Sequence, residues 1–178
     1  MRARTSTEAT TYMDLHGCAC GANRFTRTRT LLQDGDRLLA RYSGPCDGCG
    51  TVRSFTFELS DESPGAQNSF GEGCSEILDA GEFLFVSDRM AGSVPMEPPA
   101  DRGEAGRAHD RMALARDALA QVLAFGSSAM GGIPARALVS DLSREVPAAY
   151  RRPFGIGRLK ARLEAYDQVL ARYAAALR

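Results

Sequence analysis

Two short pairs of cysteines are the residues of this chain best suited to chemistry. Cys18 and Cys20 form the first pair, Cys46 and Cys49 form the second, and a glycine directly follows each pair. Thiolate sulfur is a preferred ligand of Zn²⁺, which takes four ligands in a tetrahedron. Two tight turns that each supply two sulfurs can build such a site, so the sequence predicts a four-cysteine zinc centre.

The predicted zinc centre is structural. Four thiolates fill every position around a tetrahedral ion, which leaves none for water or substrate. The first pair encloses a single residue, so His16 remains an alternative ligand in place of Cys18. The remaining cysteine, Cys74, is predicted to be an inert, partly buried thiol; a lowered thiol pKa at a helix start is the alternative.

Alternation and turn residues predict the strands that position the two pairs. Residues 25–32 and 38–42 are predicted strands, and Asp34 and Gly35 between them form a hairpin turn because glycine accepts a positive φ. After the second pair, apolar and polar side chains alternate over residues 54–59, as in a strand with one buried face. The apolar residues of that strand are Phe55, Phe57 and Leu59.

Each cysteine pair with its glycine is called a knuckle here. The order of first knuckle, hairpin, second knuckle and third strand resembles the zinc-ribbon class over residues 16–60. The resemblance implies a three-stranded antiparallel ribbon held by a structural Zn²⁺. Zinc ribbons occur in transcription factors, polymerase subunits, ribosomal proteins, enzymes and interaction modules, so membership of the class does not define a role.

Three helices are predicted downstream of the ribbon. Residues 75–90, 104–125 and 156–177 carry apolar side chains at helical spacing, although residues 83–86 alone could form a buried strand. The last helix has an apolar stripe with alternating three- and four-residue steps. Packing of this stripe on the helix at 104–125 and on the sheet is favoured, and pairing with another chain is the alternative. The stripe consists of Ile156, Leu159, Leu163, Tyr166, Leu170, Tyr173 and Leu177.

Together these elements predict an α+β fold, in which a small three-stranded antiparallel zinc ribbon packs against about three α-helices. Residues 1–15 are predicted to be a flexible tail, residues 16–60 the ribbon sheet, and residues 61–178 a helical region that packs on the ribbon as one compact body. The apolar face of the third strand is expected to be covered by two leucines of the helical region, Leu119 and Leu163.

Charge is balanced over the whole chain but not along it. The chain has 22 basic and 22 acidic residues, whereas residues 61–110 contain 3 basic and 11 acidic ones, a net charge of −8. This acidic stretch is either neutralised within the fold or offered as a surface to a basic protein partner. The residues that would form the surface are Asp61, Glu62, Glu72, Glu76, Asp79, Glu82 and Asp88.

The sequence assembles no catalytic group. The chain has 2 histidines, and it lacks both a glycine-rich phosphate loop and the glutamate that zinc deaminases place beside their first ligand. It therefore predicts a non-catalytic protein that binds another protein, such as an inhibitor, an immunity protein or an adaptor. One alternative is a nucleic-acid-binding transcriptional regulator, and another is an accessory subunit of an enzyme complex that docks through the apolar stripe. The basic residues available to bind nucleic acid are Arg24, Arg27, Arg29, Arg41 and Arg53.

A cytoplasmic location is expected. The first residues lack the apolar segment of a secretory signal, and no run approaches the roughly 18 apolar residues needed to cross a bilayer. A reducing compartment keeps cysteines as thiols, which favours a metal site over disulfide bonds.

Overall fold

The computed structural model describes residues 1–59, 68–126, 131–146 and 155–178. It divides the chain into two compact units, Met1–Leu78 and Asp79–Arg178. The first unit contains a β-sheet and a helix, and the second is helical, so the predicted α+β class is confirmed. None of the helices in the described segments combines the length and the apolar character that crossing a membrane requires.

The first unit is built on a four-stranded mixed sheet. Its elements are β1 (Arg2–Ala3), α1 (Ser6–Leu15), β2 (Thr28–Asp34), β3 (Arg37–Pro45) and β4 (Val52–Leu59). The strands lie in the order β1-β4-β3-β2, with β2 antiparallel to β3 and β3 antiparallel to β4. These three strands match the predicted ribbon. The short β1 adds a fourth strand parallel to β4, which the sequence does not predict.

The N-terminal segment differs from the predicted flexible tail, because residues 1–15 contain β1 and α1. Thr5 caps α1 by accepting a 3.1 Å hydrogen bond from the Glu8 N–H. The fully buried Glu8 carboxylate accepts a 2.6 Å hydrogen bond from the Arg4 N–H and pairs with the Arg4 guanidinium. A threonine followed three residues later by glutamate is a helix-start signal, and Ala9 and Met13 then follow at helical spacing.

Helix α1 covers the apolar face of the ribbon. Ala9 and Met13 of α1 share a buried cluster with Tyr42 of β3 and Phe57 of β4. The ring of Tyr12 meets that of Phe57 edge-on at a centroid distance of 5.9 Å. The cover of this face within the first unit is therefore α1. The leucines expected to provide it, Leu119 and Leu163, belong to the second unit.

The second unit contains the three predicted helices as α2 (Ala80–Gly92), α3 (Arg102–Ala124) and α4 (Gly155–Ala176). Helix α3 packs against both α2 and α4. Two 3₁₀ helices, Ala135–Ala137 and Leu142–Glu145, lie between α3 and α4 in the chain. Residues 83–86 belong to α2, so the alternative that they form a strand is wrong.

The apolar stripe of α4 belongs to the core of the second unit. Leu159 and Tyr173 are fully buried, and Tyr166 is nearly so. The Tyr173 hydroxyl donates a 2.8 Å hydrogen bond to the Pro95 carbonyl. This burial confirms the predicted packing of the stripe within the chain, and it removes the centre of the stripe from any docking surface.

Candidate metal centre

The four predicted ligands lie together in the first unit. The Sγ atoms of Cys18, Cys20, Cys46 and Cys49 all lie within 4.8 Å of one another. Cys18 Sγ is 3.6 Å from Cys49 Sγ, and Cys20 Sγ is 3.7 Å from Cys46 Sγ. A tetrahedron with metal–sulfur distances of ~2.3 Å has edges of ~3.8 Å, whereas a disulfide bond would bring two sulfurs to ~2.05 Å. The cluster therefore has the dimensions of a four-thiolate metal site.

The first knuckle is a tight turn that keeps Cys18 in the cluster despite its short spacing. The Gly21 N–H donates to the Cys18 carbonyl and the Cys18 N–H donates to the Ala22 carbonyl, each at 2.8 Å. Gly21 has a φ of 87°, which glycine adopts without strain. His16 lies outside the cysteine cluster, since its ring stacks on Tyr12 with a centroid distance of 3.9 Å. The structure thus favours Cys18 over His16 as the fourth ligand.

The second knuckle closes against the first. The Gly50 N–H donates a 2.8 Å hydrogen bond to the Cys46 carbonyl, and Gly50 has a φ of 73°. A Cβ added at Gly48 would lie 2.8 Å from the Ala22 Cβ and 3.2 Å from the Cys20 Sγ. Glycine at position 48 therefore allows the two knuckles to approach each other.

The hairpin brings the two knuckles side by side. Phe25, just after the first knuckle, forms an isolated antiparallel bridge with Cys46, and the Asp47 N–H donates a 3.2 Å hydrogen bond to the Arg24 carbonyl. From there β2 and β3 pair in continuous register as far as Asp34 and Arg37. The cysteines consequently lie at the open end of the hairpin, away from its turn.

The pKa values of Cys20, Cys46 and Cys49 are shifted in different directions. The Thr51 hydroxyl and N–H lower the pKa of Cys49 to about 6, and the N–H groups of Gly48 and Cys49 lower the pKa of Cys46. The Ala22 N–H favours the Cys20 thiolate, but the neighbouring sulfurs of Cys49 and Cys46 outweigh it and raise the pKa of Cys20 to about 11. Neighbouring negative charges oppose one another, and a divalent cation at the centre would favour all four thiolates.

The Arg53 side chain holds the backbone next to the first knuckle by hydrogen bonds. Its guanidinium is buried and donates to the Asn23 carbonyl at 2.9 Å, to the Met13 carbonyl at 3.2 Å, and to the His16 carbonyl. The same group lies over the Phe25 ring, 4.6 Å from its centroid. Arg53 therefore links β4 to the end of α1 and to the segment after the first knuckle. The sequence contains a signal for this burial, because Arg53 lies on the same face of β4 as the apolar residues of that strand.

The five ribbon arginines consequently divide into two groups. Arg53 is held by backbone carbonyls, and Arg27 pairs with Asp14. The side chains with high exposure and no acidic partner among the described residues belong to Arg24, Arg29 and Arg41.

Not all of the residues predicted to form the acidic surface are exposed. Asp79 and Glu82 are buried at the start of α2, where each side chain accepts a 2.9 Å hydrogen bond from the N–H of the other. This is a correction to their predicted role in binding a partner. Asp88 is exposed and pairs with Arg162 of α4. Glu72 and Glu76 are exposed in the first unit, and Asp61 and Glu62 lie outside the described residues.

Cys74 lies outside the four-cysteine cluster and is exposed, whereas the sequence predicts a partly buried thiol. It follows a loop that Arg4 holds by donating to the carbonyls of Glu72 and Gly73, at 3.0 and 2.6 Å.

Comparison with known proteins yields no relative. No protein-family model matches this chain, and neither a curated protein nor a solved structure matches it significantly.

Proposed function

We propose that this chain is a non-catalytic zinc-ribbon protein that holds a structural Zn²⁺ and acts by binding another protein. The observation that carries the proposal is the set of four sulfurs that all lie within 4.8 Å of one another, all supplied by the chain itself. A closed four-thiolate site stabilises a fold but leaves no open position at which Zn²⁺ could activate water.

The placement of the sulfurs supports a structural role for the ion. Zn²⁺ would tie residues 18–20 to residues 46–49, at the end of the hairpin where the backbone links are a single bridge and a few turn hydrogen bonds. Structural zinc sites contribute their binding free energy to folding, typically about 10–16 kcal/mol in small domains at neutral pH. The ribbon is therefore expected to lose its order when the metal is removed.

Protein binding is favoured over nucleic-acid binding by the state of the ribbon arginines. Two of the five are engaged inside the first unit, and the chain has no net charge, so the electrostatic attraction to phosphate is weak. Apolar side chains on the ribbon are exposed instead, with Leu31 55%, Leu38 44% and Val52 71% accessible. Burial of the α4 stripe argues against docking through it as an enzyme's accessory subunit.

The zinc part of the proposal is tested by native mass spectrometry and metal analysis of the purified chain. We expect one Zn²⁺ per chain, lost in Cys46→Ser and retained in the matched Cys74→Ser variant. Absence of metal from freshly purified, reduced protein would overturn the structural-zinc assignment.

The binding part is tested by quantitative affinity purification from the native lysate. A protein recovered at stoichiometric level by the parent chain, but not by Cys46→Ser, would support a role carried by the folded ribbon. Tight binding of duplex or single-stranded nucleic acid at about 50 mM salt, with no protein partner, would replace the proposal with the nucleic-acid alternative.

A further inference from the structure

The ribbon ends on an open strand edge. β2 is the outermost strand of the sheet order β1-β4-β3-β2, and within the described residues no strand pairs with its outer side. Six of its seven residues are exposed, and Leu32 is half-buried. β2 pairs with β3 at every position and contains neither proline nor a bulge, two of the devices that protect an edge from pairing; its charged residues are Arg29 and Asp34.

The apolar face of the sheet continues out to this edge. Leu31 pairs with Ala40 and Arg29 pairs with Tyr42, and directly opposed residues of an antiparallel pair share a face. Ala40 and Tyr42 are buried in the cluster under α1, whereas Leu31 is 55% exposed and Arg29 is also exposed. The edge therefore presents one exposed leucine and, two residues earlier on the same face, one exposed cation.

The charge of Arg29 determines which side chains a strand added to the β2 edge would need. No carboxylate pairs with it among the described residues, and a strand added beside β2 would place a side chain directly opposite it. A carboxylate there, and an apolar side chain two residues away in the same strand and opposite Leu31, would satisfy both groups. Added strands gain affinity from backbone hydrogen bonds and specificity from alternate side chains.

A second copy of the chain fits this edge poorly. If two copies of β2 paired in antiparallel fashion about a two-fold axis, each residue would lie opposite a residue of the same face. Arg29 and Asp34, the acidic residue of β2, are five positions apart and lie on opposite faces. With Leu31 on the axis, Arg29 would face Gln33, which leaves its charge unpaired.

We infer that the β2 edge is the docking surface for an extended acidic segment of a partner protein, with a carboxylate opposite Arg29 and an apolar side chain opposite Leu31. This inference rests on the proposed protein-binding function and names the surface and the partner chemistry. The partner segment adds as a fifth strand and leaves α1 and the cysteine cluster in place.

The test uses the zinc-loaded full chain, labelled with ¹⁵N, and a capped eight-residue peptide with the repeat Glu-Thr-Val-Thr. This repeat places glutamate and valine alternately on one face of a strand. We expect a dissociation constant below about 1 mM, amide shifts centred on β2, and at least about tenfold weaker binding when lysine replaces glutamate. N-methylation of the alternate peptide residues whose N–H groups face β2 should abolish binding, because it removes the donors to that edge.

Charge reversal on the chain separates this surface from general electrostatics. Arg29→Glu should reverse the preference so that the lysine peptide binds better. Arg41→Glu, the same charge change on the opposite face of the neighbouring strand, should leave the preference unchanged. Equal effects of the two variants, absence of binding by the glutamate peptide, or dimerisation of the free chain through β2 would each overturn the inference.

Failure of the inference and failure of the proposed function give different results. A protein partner that stays bound at full stoichiometry to Arg29→Glu would overturn the β2 surface and leave the proposed function intact. Absence of any protein partner together with absence of peptide binding would overturn both.

Discussion

The carboxylate of Asp79 accepts a 2.7 Å hydrogen bond from the hydroxyl of Ser143. The same oxygen also accepts from the N–H groups of Val139 and Ser140, at 2.7 and 2.6 Å, while the other oxygen caps α2. The buried Asp79 side chain thus caps α2 and also binds the backbone of Val139 and Ser140, just before the second 3₁₀ helix. Gly81 permits this approach, since a Cβ there would lie 2.3 Å from the Ser143 Oγ.

Removal of this carboxylate should destabilise the second unit. Asp79→Ala deprives the Ser143 hydroxyl and two backbone N–H groups of their acceptor and removes a helix cap, so we expect a loss of about 3 kcal/mol in unfolding free energy. Asp101, the exposed cap of α3, is the matched control, and Asp101→Ala should lose only about 1 kcal/mol. Urea denaturation followed by circular dichroism measures both, and equal losses would contradict the special role of Asp79.

The contribution of Asp79 should depend on pH. Burial alone would raise the pKa of Asp79, but the hydrogen bonds from Ser140, Ser143, Glu82 and Val139 outweigh it and lower the pKa below its usual value. An acid with a lowered folded-state pKa stabilises above its unfolded pKa of about 3.9, and this stabilisation is lost as pH falls through the folded-state pKa. The difference in unfolding free energy between the parent chain and Asp79→Asn should therefore be constant from about pH 7 to 5 and narrow below about pH 4. A difference that stays constant down to pH 2 would contradict this origin of the stability.

Crowding at Gly48 should weaken the metal site. In Gly48→Ala the new methyl group would press on Ala22 and on the Cys20 sulfur, so we expect about tenfold lower Zn²⁺ affinity in competition with a chromogenic chelator. Ala22→Gly in the same chain removes the closest contact and should restore part of the affinity. Asp47→Ala, the exposed neighbouring change, should have no effect. No rescue by Ala22→Gly would show that the knuckles do not meet as described.

Loss of Arg53 should destabilise the ribbon through hydrogen bonding rather than through surface charge. Arg53→Ala leaves the Asn23 and Met13 carbonyls without their donor, so we expect a loss of about 3 kcal/mol. Arg53→Lys should recover only part, because an ammonium group lacks the planar fork that reaches several acceptors. Arg41→Ala changes an exposed arginine of the same sheet and should stay within about 0.5 kcal/mol of the parent chain in thermal unfolding. Similar losses for Arg41→Ala and Arg53→Ala would contradict this account.

Local patterns predicted the elements that depend on local periodicity. Two-residue alternation identified β4, and three- and four-residue steps identified α3 and α4, because these repeats follow directly from strand and helix geometry. Helix α1 was missed although its start signal is present. Its sequence is rich in threonine, and its stability comes from packing on residues of β3 and β4 that are distant in the chain.

The sequence by itself determined the candidate metal ligands, because four cysteines in two short pairs, each followed by a glycine, are recognisable without knowing where the rest of the chain lies. Only the tertiary structure decided which charged groups remain available. The hydrogen-bond partners of Arg53 lie 30 to 40 residues away in the chain. Those of Asp79 in the segment around the second 3₁₀ helix lie about 60 residues away. No local pattern could therefore show that both side chains are buried. Arg29 stays exposed because its strand lies at the edge of the sheet, and strand order is set by long-range pairing.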